Sequence, residues 1–425
     1  MAKHPVWQAA PAFLLLWAAG SVTAGPRILG LSEALDLAER TAPSIEASRA
    51  REEQAIQSGR RVEAAWYPTL DAAAVDSSGF AGSASGLDGF SGLVASPYRK
   101  GPGFDAFARW DLVDLSTWYA ARSARIQAEA AHQDTLVRRE AVDQRALGAY
   151  LEAVADQGKR DAWSDLAGEL SGVAVTVRTF VRNGQYAQVQ QILIEDQLQD
   201  AKVQAQAYAE RYQADLQGLG YLTGLDGGSI ASPGPEALAD SAVDAIPVPS
   251  VNPLVSAADL RAEASAQLLA GSRAQSLPKI ELAGSAGDLQ GTRLVQDQDY
   301  SLYAGVTLPL FEGFRLDADE RRAAAQRDEA RAQAAQARLD VETLAVRFRQ
   351  RSQESLELMQ ALLPQRRRAA RAVREARQRY LSFLGPLADL QQALKDLVSV
   401  STRFADAKAE HLLAEGSLRL VGSGL

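Results

Sequence analysis

Cysteine is absent from this 425-residue chain, and its three histidines, His4, His132 and His411, stand far apart with no ligand spacing between them. Those facts exclude a thiolate nucleophile, thiolate-bound zinc, an iron–sulfur cluster and disulfides, and they leave no histidine pair to hold a metal. No glycine-rich phosphate loop and no compact carboxylate pair is present, so neither an enzyme nor a bound cofactor is expected. Two other groupings stand out. Asn183-Gly184-Gln185 and Leu384-Gly385-Pro386 each interrupt a long helix-forming stretch, and polar residues follow closely: Gln190 and Gln191 after the first, Asp389, Gln391 and Gln392 after the second. Glycine permits the positive φ of a tight helix-to-helix turn, and Pro386 suits the first turn of the next helix. Seven arginines, Arg366, Arg367, Arg368, Arg371, Arg374, Arg377 and Arg379, crowd just ahead of the second glycine. Helical spacing puts Arg367, Arg371 and Arg374 on one stripe, where a solvated or salt-bridged face is the ordinary expectation. The balance of 45 basic and 53 acidic residues, −8 overall, argues against a partner bound by phosphate neutralisation, so no nucleic acid is expected.

The elements that position these groups come from the whole chain. Lys3 and His4 precede an apolar run from Ala9 to Ala19, too short to span a bilayer, and Val22-Thr23-Ala24 supplies the small residues of a signal-peptide cleavage site. Residues 1–24 therefore read as a secretory signal peptide. No second run of 18 apolar residues follows, which leaves a periplasmic, secreted or outer-membrane product.

Internal repetition is the strongest organising signal. Pro43 and Pro68 recur as Pro253 and Pro278, Trp110-Asp111-Leu112 parallels Leu308-Pro309-Leu310, Gly184 parallels Gly385, and Leu222-Thr223-Gly224 parallels Leu420-Val421-Gly422. A first copy over 25–232, a proline-rich connector over 233–252 and a second copy over 253–425 are expected. Each copy opens with a helix and continues into a period-two stretch. In the second, Ile280, Leu282, Gly284 and Ala286, then Tyr300, Leu302, Ala304 and Val306, alternate with polar or small residues; Ala106, Ala108 and Trp110 do so in the first. β-Hairpins are expected at about 68–113 and 278–310. About 70 residues rich in Ala, Arg, Gln, Glu and Leu follow each, with Pro364 as an interruption, and a shorter helix returns after the glycine. Long antiparallel helical hairpins are thus predicted at about 115–222 and 314–420, reaching ~105 Å. Trp110, Tyr98, Tyr300, Tyr303 and Trp118 lie near strand ends, where an interfacial aromatic girdle would put them.

Strands near ten residues long with one apolar face have bilayer-crossing length, and backbone in lipid must be fully paired. Four strands cannot close a barrel, so two chains (eight strands) or three chains (twelve) are needed.

The sequence resembles the TolC-like outer membrane factors over nearly all of its mature length. The resemblance rests on Leu31-Ser32-Glu33-Ala34-Leu35-Asp36-Leu37-Ala38, the Ala42-Pro43 and Asn252-Pro253 helix starts, Tyr67-Pro68 and Leu277-Pro278, Leu308-Pro309-Leu310-Phe311-Glu312-Gly313, and the twin glycines. It implies an α+β membrane protein of two tandem repeats, forming a homotrimer with a 12-stranded β-barrel continued by a periplasmic α-helical barrel. The implied role is the exit duct of a tripartite efflux pump or type I secretion system, in contact with outer-membrane lipid. Implied partners are a periplasmic adaptor (membrane fusion protein) and an inner-membrane efflux or ABC-type transporter. It also implies a Gram-negative outer-membrane location, most of the mass being periplasmic. Adaptor docking would fall to Asn183, Gly184, Gln185, Leu384, Gly385 and Pro386. Where many relatives carry a pore-facing ring of aspartates, this chain has Gln190, Gln191, Gln391 and Gln392, with Asp389 the nearby acid, so a constriction there would be less cation-selective. The competing expectation is a soluble periplasmic coiled-coil scaffold or adaptor, which would account for the helices and leave the matched hairpins without a purpose.

Overall fold

The computed structural model describes residues 28–78, 100–225, 229–230, 251–289 and 298–422. The expected signal peptide, Tyr98 and most of the proline-rich connector lie outside the described residues.

The chain is mostly helical. In order it forms β1 (Ile28–Leu29), α1 (Leu31–Thr41), α2 (Pro43–Glu63), a short 3-10 turn (Ala64–Trp66), β2 (Thr69–Ser78), β3 (Lys100–Val113), α3 (Leu115–Arg182), α4 (Gln188–Thr223), β4 (Ser229–Ile230), α5 (Pro253–Ala274), β5 (Lys279–Leu289), β6 (Gln298–Thr307), α6 (Arg315–Leu381) and α7 (Leu387–Val421). Helix starts follow local chemistry. Pro43 and Pro253 occupy first-turn positions, where the missing N–H costs nothing. Asp114 caps α3, accepting from the backbone N–H of Ser116 at 2.9 Å and of Thr117 at 3.4 Å, while Lys279 Nζ donates to it at 2.8 Å. That cap fastens the long helix to the start of β5.

At 68 and 67 residues, α3 and α6 each run ~100 Å. Pro364 does not interrupt α6, contrary to the sequence expectation. It stands on the exposed side, with Gln360 exposed one turn earlier, so the helix passes through it with its bare turn turned to solvent. Around these two rods the shorter helices form rows. Near the sheet, α2 packs on α3, α3 on α5, and α5 on α6; farther away α4 packs on α3, α3 on α7, and α7 on α6. The row therefore has two free edges, α2 and α4 on one side, α6 on the other.

Buried alanines, among them Ala121, Ala146, Ala153, Ala257 and Ala334, let these helices approach closely. A core around Leu31, Leu147, Tyr150, Leu151, Tyr212 and Leu412 gathers α1, α3, α4 and α7 at mid-height, where β1 and β4 pair in parallel. A second core, with Leu170, Val177, Ile194, Tyr380 and Leu390, sits at the far end.

The four-stranded sheet has the order β2-β3-β5-β6, all antiparallel, with β2 and β6 at open edges. Register aligns the alternating residues into one face. Leu70 faces Ala108, Ala108 faces Gly284, Gly284 faces Leu302; Trp110 faces Leu282 and Leu282 faces Ala304. This apolar face is bare: Leu302 and Tyr300 are each 85% exposed. On the opposite face Arg109 Nε meets Glu281 at 2.9 Å. Two details differ from the girdle expectation. Tyr303, paired with Ala283, belongs by register to the second face rather than to that of Tyr300. Trp110 is held by a donated hydrogen bond from Nε1 to the Trp66 carbonyl at 2.8 Å, next to a bulge after Asp111.

Candidate functional site

At the end farthest from the sheet, α3 turns into α4 and α6 into α7 through the same backbone device. Gln185 N–H donates to the Phe180 carbonyl at 2.8 Å and Gly184 N–H to Val181 at 3.0 Å; Leu384 donates to Arg379 at 2.8 Å and Phe383 to Tyr380 at 3.1 Å. Each turn thus ends its helix with the paired six-to-one and five-to-two bonds that need one left-handed residue. In the first turn that residue is Gly184, φ +73°; in the second it is Phe383, φ +63°.

The glycine rationale read from the sequence therefore holds for Gly184 alone. Gly385 lies two residues past the left-handed position, level with Tyr186 in the other turn, and is not among the positive-φ residues. Its smallness has another use, since an added Cβ would lie 3.3 Å from the Cβ of Arg379. Pro386 is the residue just ahead of α7 rather than inside its first turn. Asn183, Gln185 and Leu384 are exposed at the two turns.

Four aromatic side chains, none singled out by sequence reasoning, lock the two hairpins together. Tyr186 stacks on Tyr380 with ring centroids 5.1 Å apart and planes 10° apart, and meets Phe180 at 5.6 Å and Phe383 at 5.0 Å; Phe180 and Phe383 are 4.9 Å apart. Tyr186 Oη also donates to the backbone carbonyl of Tyr380 at 2.5 Å. Burial pushes the Tyr186 phenol up, and burial together with Tyr186 pushes that of Tyr380 up to about 12, so both stay protonated donors. The signal in the sequence was the placement of Phe180 and Tyr186 around one turn and Tyr380 and Phe383 around the other, within six residues each.

The polar residues beyond the turns are divided. Gln190 is drawn into the knot, accepting from Tyr380 Oη at 3.3 Å; Gln191 donates to Glu195 at 3.0 Å, and Gln392 to Asp396 at 2.8 Å. Gln391 is half-buried and Asp389 exposed. Among the described residues no hydrogen bond joins these glutamines of one hairpin to those of the other. Nor are Gln190 and Gln191 equivalent to Gln391 and Gln392: with the two left-handed residues aligned, Gln190 matches Asp389 and Gln191 matches Leu390.

Ion pairs brace the same region: Arg178 with Glu195 at 2.6 Å, and Arg377 with Glu169 at 2.7 Å across the two hairpins. Arg366 lies over the Phe404 ring, 5.7 Å from its centroid. The arginine run is thereby split, Arg366 and Arg377 turning inward while Arg371 and Arg374 are exposed. Of the histidines, His132 pairs with Glu52 at 2.8 Å, and buried His411 donates through Nδ1 to the Ser352 carbonyl at 3.0 Å. Both have structural partners. The arrangement offers binding surfaces, with Leu384 73% exposed and Val189 58% exposed beside the turns.

No protein-family model matches the chain, and no curated protein matches it in sequence. Solved structures do match over nearly its whole length. The outer membrane protein VceC of Vibrio cholerae shares 18% identity over 93% of this chain and 97% of its own, with a TM-score of 0.76. The CmeC outer membrane channel of Campylobacter jejuni shares 14% over 100% and 94%, at 0.75. The MtrE outer membrane channel of Neisseria gonorrhoeae, in its open state, shares 17% over 93% and 89%, also at 0.75. The chain has the outer-membrane-channel fold that its resemblance to the TolC-like factors implies.

Proposed function

We propose that this chain is the outer-membrane exit duct of a tripartite export system, an efflux pump or a type I secretion system. It would conduct cargo passively from an inner-membrane transporter and periplasmic adaptor. One observation carries the reading: a four-stranded sheet with a bare apolar face and two open edges, continuous with helices ~100 Å long. In water that face and those edges are liabilities; in lipid the face is solvated, and the edges are satisfied by the strands of neighbouring copies. Three copies close twelve strands, and the helical rows continue them as a tube through the periplasm. Residues 1–24 act as the export signal. Residues 25–232 and 253–425 act as two copies of one plan, joined by 233–252.

In this reading the two turns meet the adaptor through Asn183, Gln185, Leu384 and Pro386, with Gly184 and Gly385 shaping them. Gln190, Gln191, Asp389, Gln391 and Gln392 line the approach to the closed end. Opening separates the two hairpins at the aromatic knot. No step needs a cofactor or a covalent intermediate, and the transporter sets the choice of cargo.

The deciding measurement is the mass of the detergent-extracted particle from an outer-membrane fraction, by light scattering with detergent subtracted. About three times the mature chain mass is expected. A monomer in the soluble periplasmic fraction would overturn the duct and favour a coiled-coil scaffold.

A further inference from the structure

The two free edges of the helical row carry opposite charge at the same height. Between residues 365 and 380, α6 holds seven arginines against one acid, Glu375. Like charges three and four residues apart repel, so Arg371 and Arg374, three residues apart, are unfavourable neighbours unless an acid answers them. Arg371 and Arg374 are exposed on the side of α6 turned away from its buried positions Leu362, Val373 and Tyr380, and neither has an ion pair in its own chain among the described residues. On α4, Asp196 and Asp200 are exposed away from the buried positions Ile194, Ala201 and Tyr212, and they too lack an intrachain ion pair.

Heights can be compared because the aromatic knot holds both turns at one level. Asp196 follows the left-handed Gly184 by twelve residues, and Arg371 precedes the left-handed Phe383 by twelve, which puts them ~12 Å along α4 from its start at Gln188 and ~15 Å along α6 from its end at Leu381, within one helical turn of one another in height. The register continues along both edges. Asp200 and Arg367 are each sixteen residues from their turns, and the exposed Val203 and Pro364 are each nineteen. A rotation about an axis parallel to the helices leaves height unchanged. In any closed ring of these chains, the α6 edge of one copy is therefore presented to the α4 edge of the next in this register.

We propose that the arginine stripe of α6, centred on Arg371, docks on Asp196 and Asp200 of α4 in the neighbouring copy, forming the junction that sets the register of the periplasmic tube. The proposal rests on the ring assembly argued above. The sheet edges agree with it, since β6 leads into α6 and β2 follows α2 on the opposite edge.

The absence of cysteine makes a clean test. Asp196→Cys and Arg371→Cys are introduced into the full chain, and the detergent-extracted particle is treated with a short bismaleimide. Chain-to-chain products up to a covalent trimer are expected. The pair Tyr221→Cys with Arg371→Cys, level with one another in neither edge, is expected to give none. A particle of three chains that yields no Asp196–Arg371 product overturns the junction and leaves the duct standing; a particle of one chain overturns both. Charge reversal supplies a second readout. Arg371→Glu is expected to weaken the trimer, with about a fivefold loss at each of three junctions compounding to about a hundredfold, and Asp196→Arg in the same chain to restore it. A trimer indifferent to both reversals would overturn the proposal.

Discussion

Replacing Tyr186 by phenylalanine isolates one bond of the knot that ties the hairpins together. The ring and its three aromatic contacts remain; only the hydroxyl that donates to the Tyr380 carbonyl at 2.5 Å is removed. That carbonyl keeps a second donor, the Phe383 N–H at 3.1 Å, so nothing buried is orphaned. The cost is then that of one ordinary hydrogen bond, about 1 kcal/mol, or roughly fivefold in the local opening equilibrium. Tyr380→Phe removes the longer contact to Gln190, 3.3 Å, and is expected to cost less than about 0.5 kcal/mol. Tyr186→Ala also loses the ring contacts, about 0.5–1.5 kcal/mol each, and is expected to cost on the order of 3 kcal/mol. Hydrogen exchange of peptides spanning 179–187 and 379–386, read by mass spectrometry on the extracted particle, orders the variants. Protection should fall from wild type through Tyr380→Phe and Tyr186→Phe to Tyr186→Ala. Equal exchange for the two phenylalanine variants would refute the assignment of the latch to Tyr186.

Burial and the neighbouring Glu39 push the Asp143 carboxyl up to about 7, and burial does the same to Glu140. Folded values above the unfolded ones mean that the native state takes up protons, so stability falls as pH climbs from about 4 to about 7 and is level above that. Asp143→Asn is therefore expected to raise the thermal midpoint at pH 8 by the equivalent of about 1–3 kcal/mol and far less at pH 4; a larger gain at pH 4 would contradict it. A contrast between two glycines tests packing by the same measurement. Gly148→Ala, with open space around its Cβ position in α3, should stabilise by about 0.5–1 kcal/mol, whereas Gly220→Ala puts a Cβ 2.6 Å from the Leu225 carbonyl and should destabilise.

Elements ruled by a simple period were legible before any coordinates. Ile280 to Ala286 and Tyr300 to Val306 alternate strictly, and they became β5 and β6 with their apolar residues on one face. Helix starts at Pro43 and Pro253 were legible for the same local reason. Single-residue geometry was not. Phe383 takes the left-handed position because the two paired bonds of the turn and its contacts with Phe180 and Tyr186 offset a conformation that propensity reserves for glycine, and so the visible Gly385 misdirected the alignment of the two turns. Pro364 misled in the opposite way, because its effect depends on which side of the helix it faces. The knot itself was invisible since Tyr186 and Tyr380 are distant in sequence, and only the packing of α3 beside α7 brings them together.

The unbroken length of α3 and α6 makes each a lever. Pivoting α3 by 5° at its root beside the sheet, where Asp114 and Lys279 clamp it, carries its far end through ~9 Å. A displacement of that size exceeds the separation of every ring pair in the knot. The same pivot moves the core around Tyr150, halfway along α3, by about half as much, so in the duct proposed above the mid-height packing and the knot at the turns would resist such a swing together.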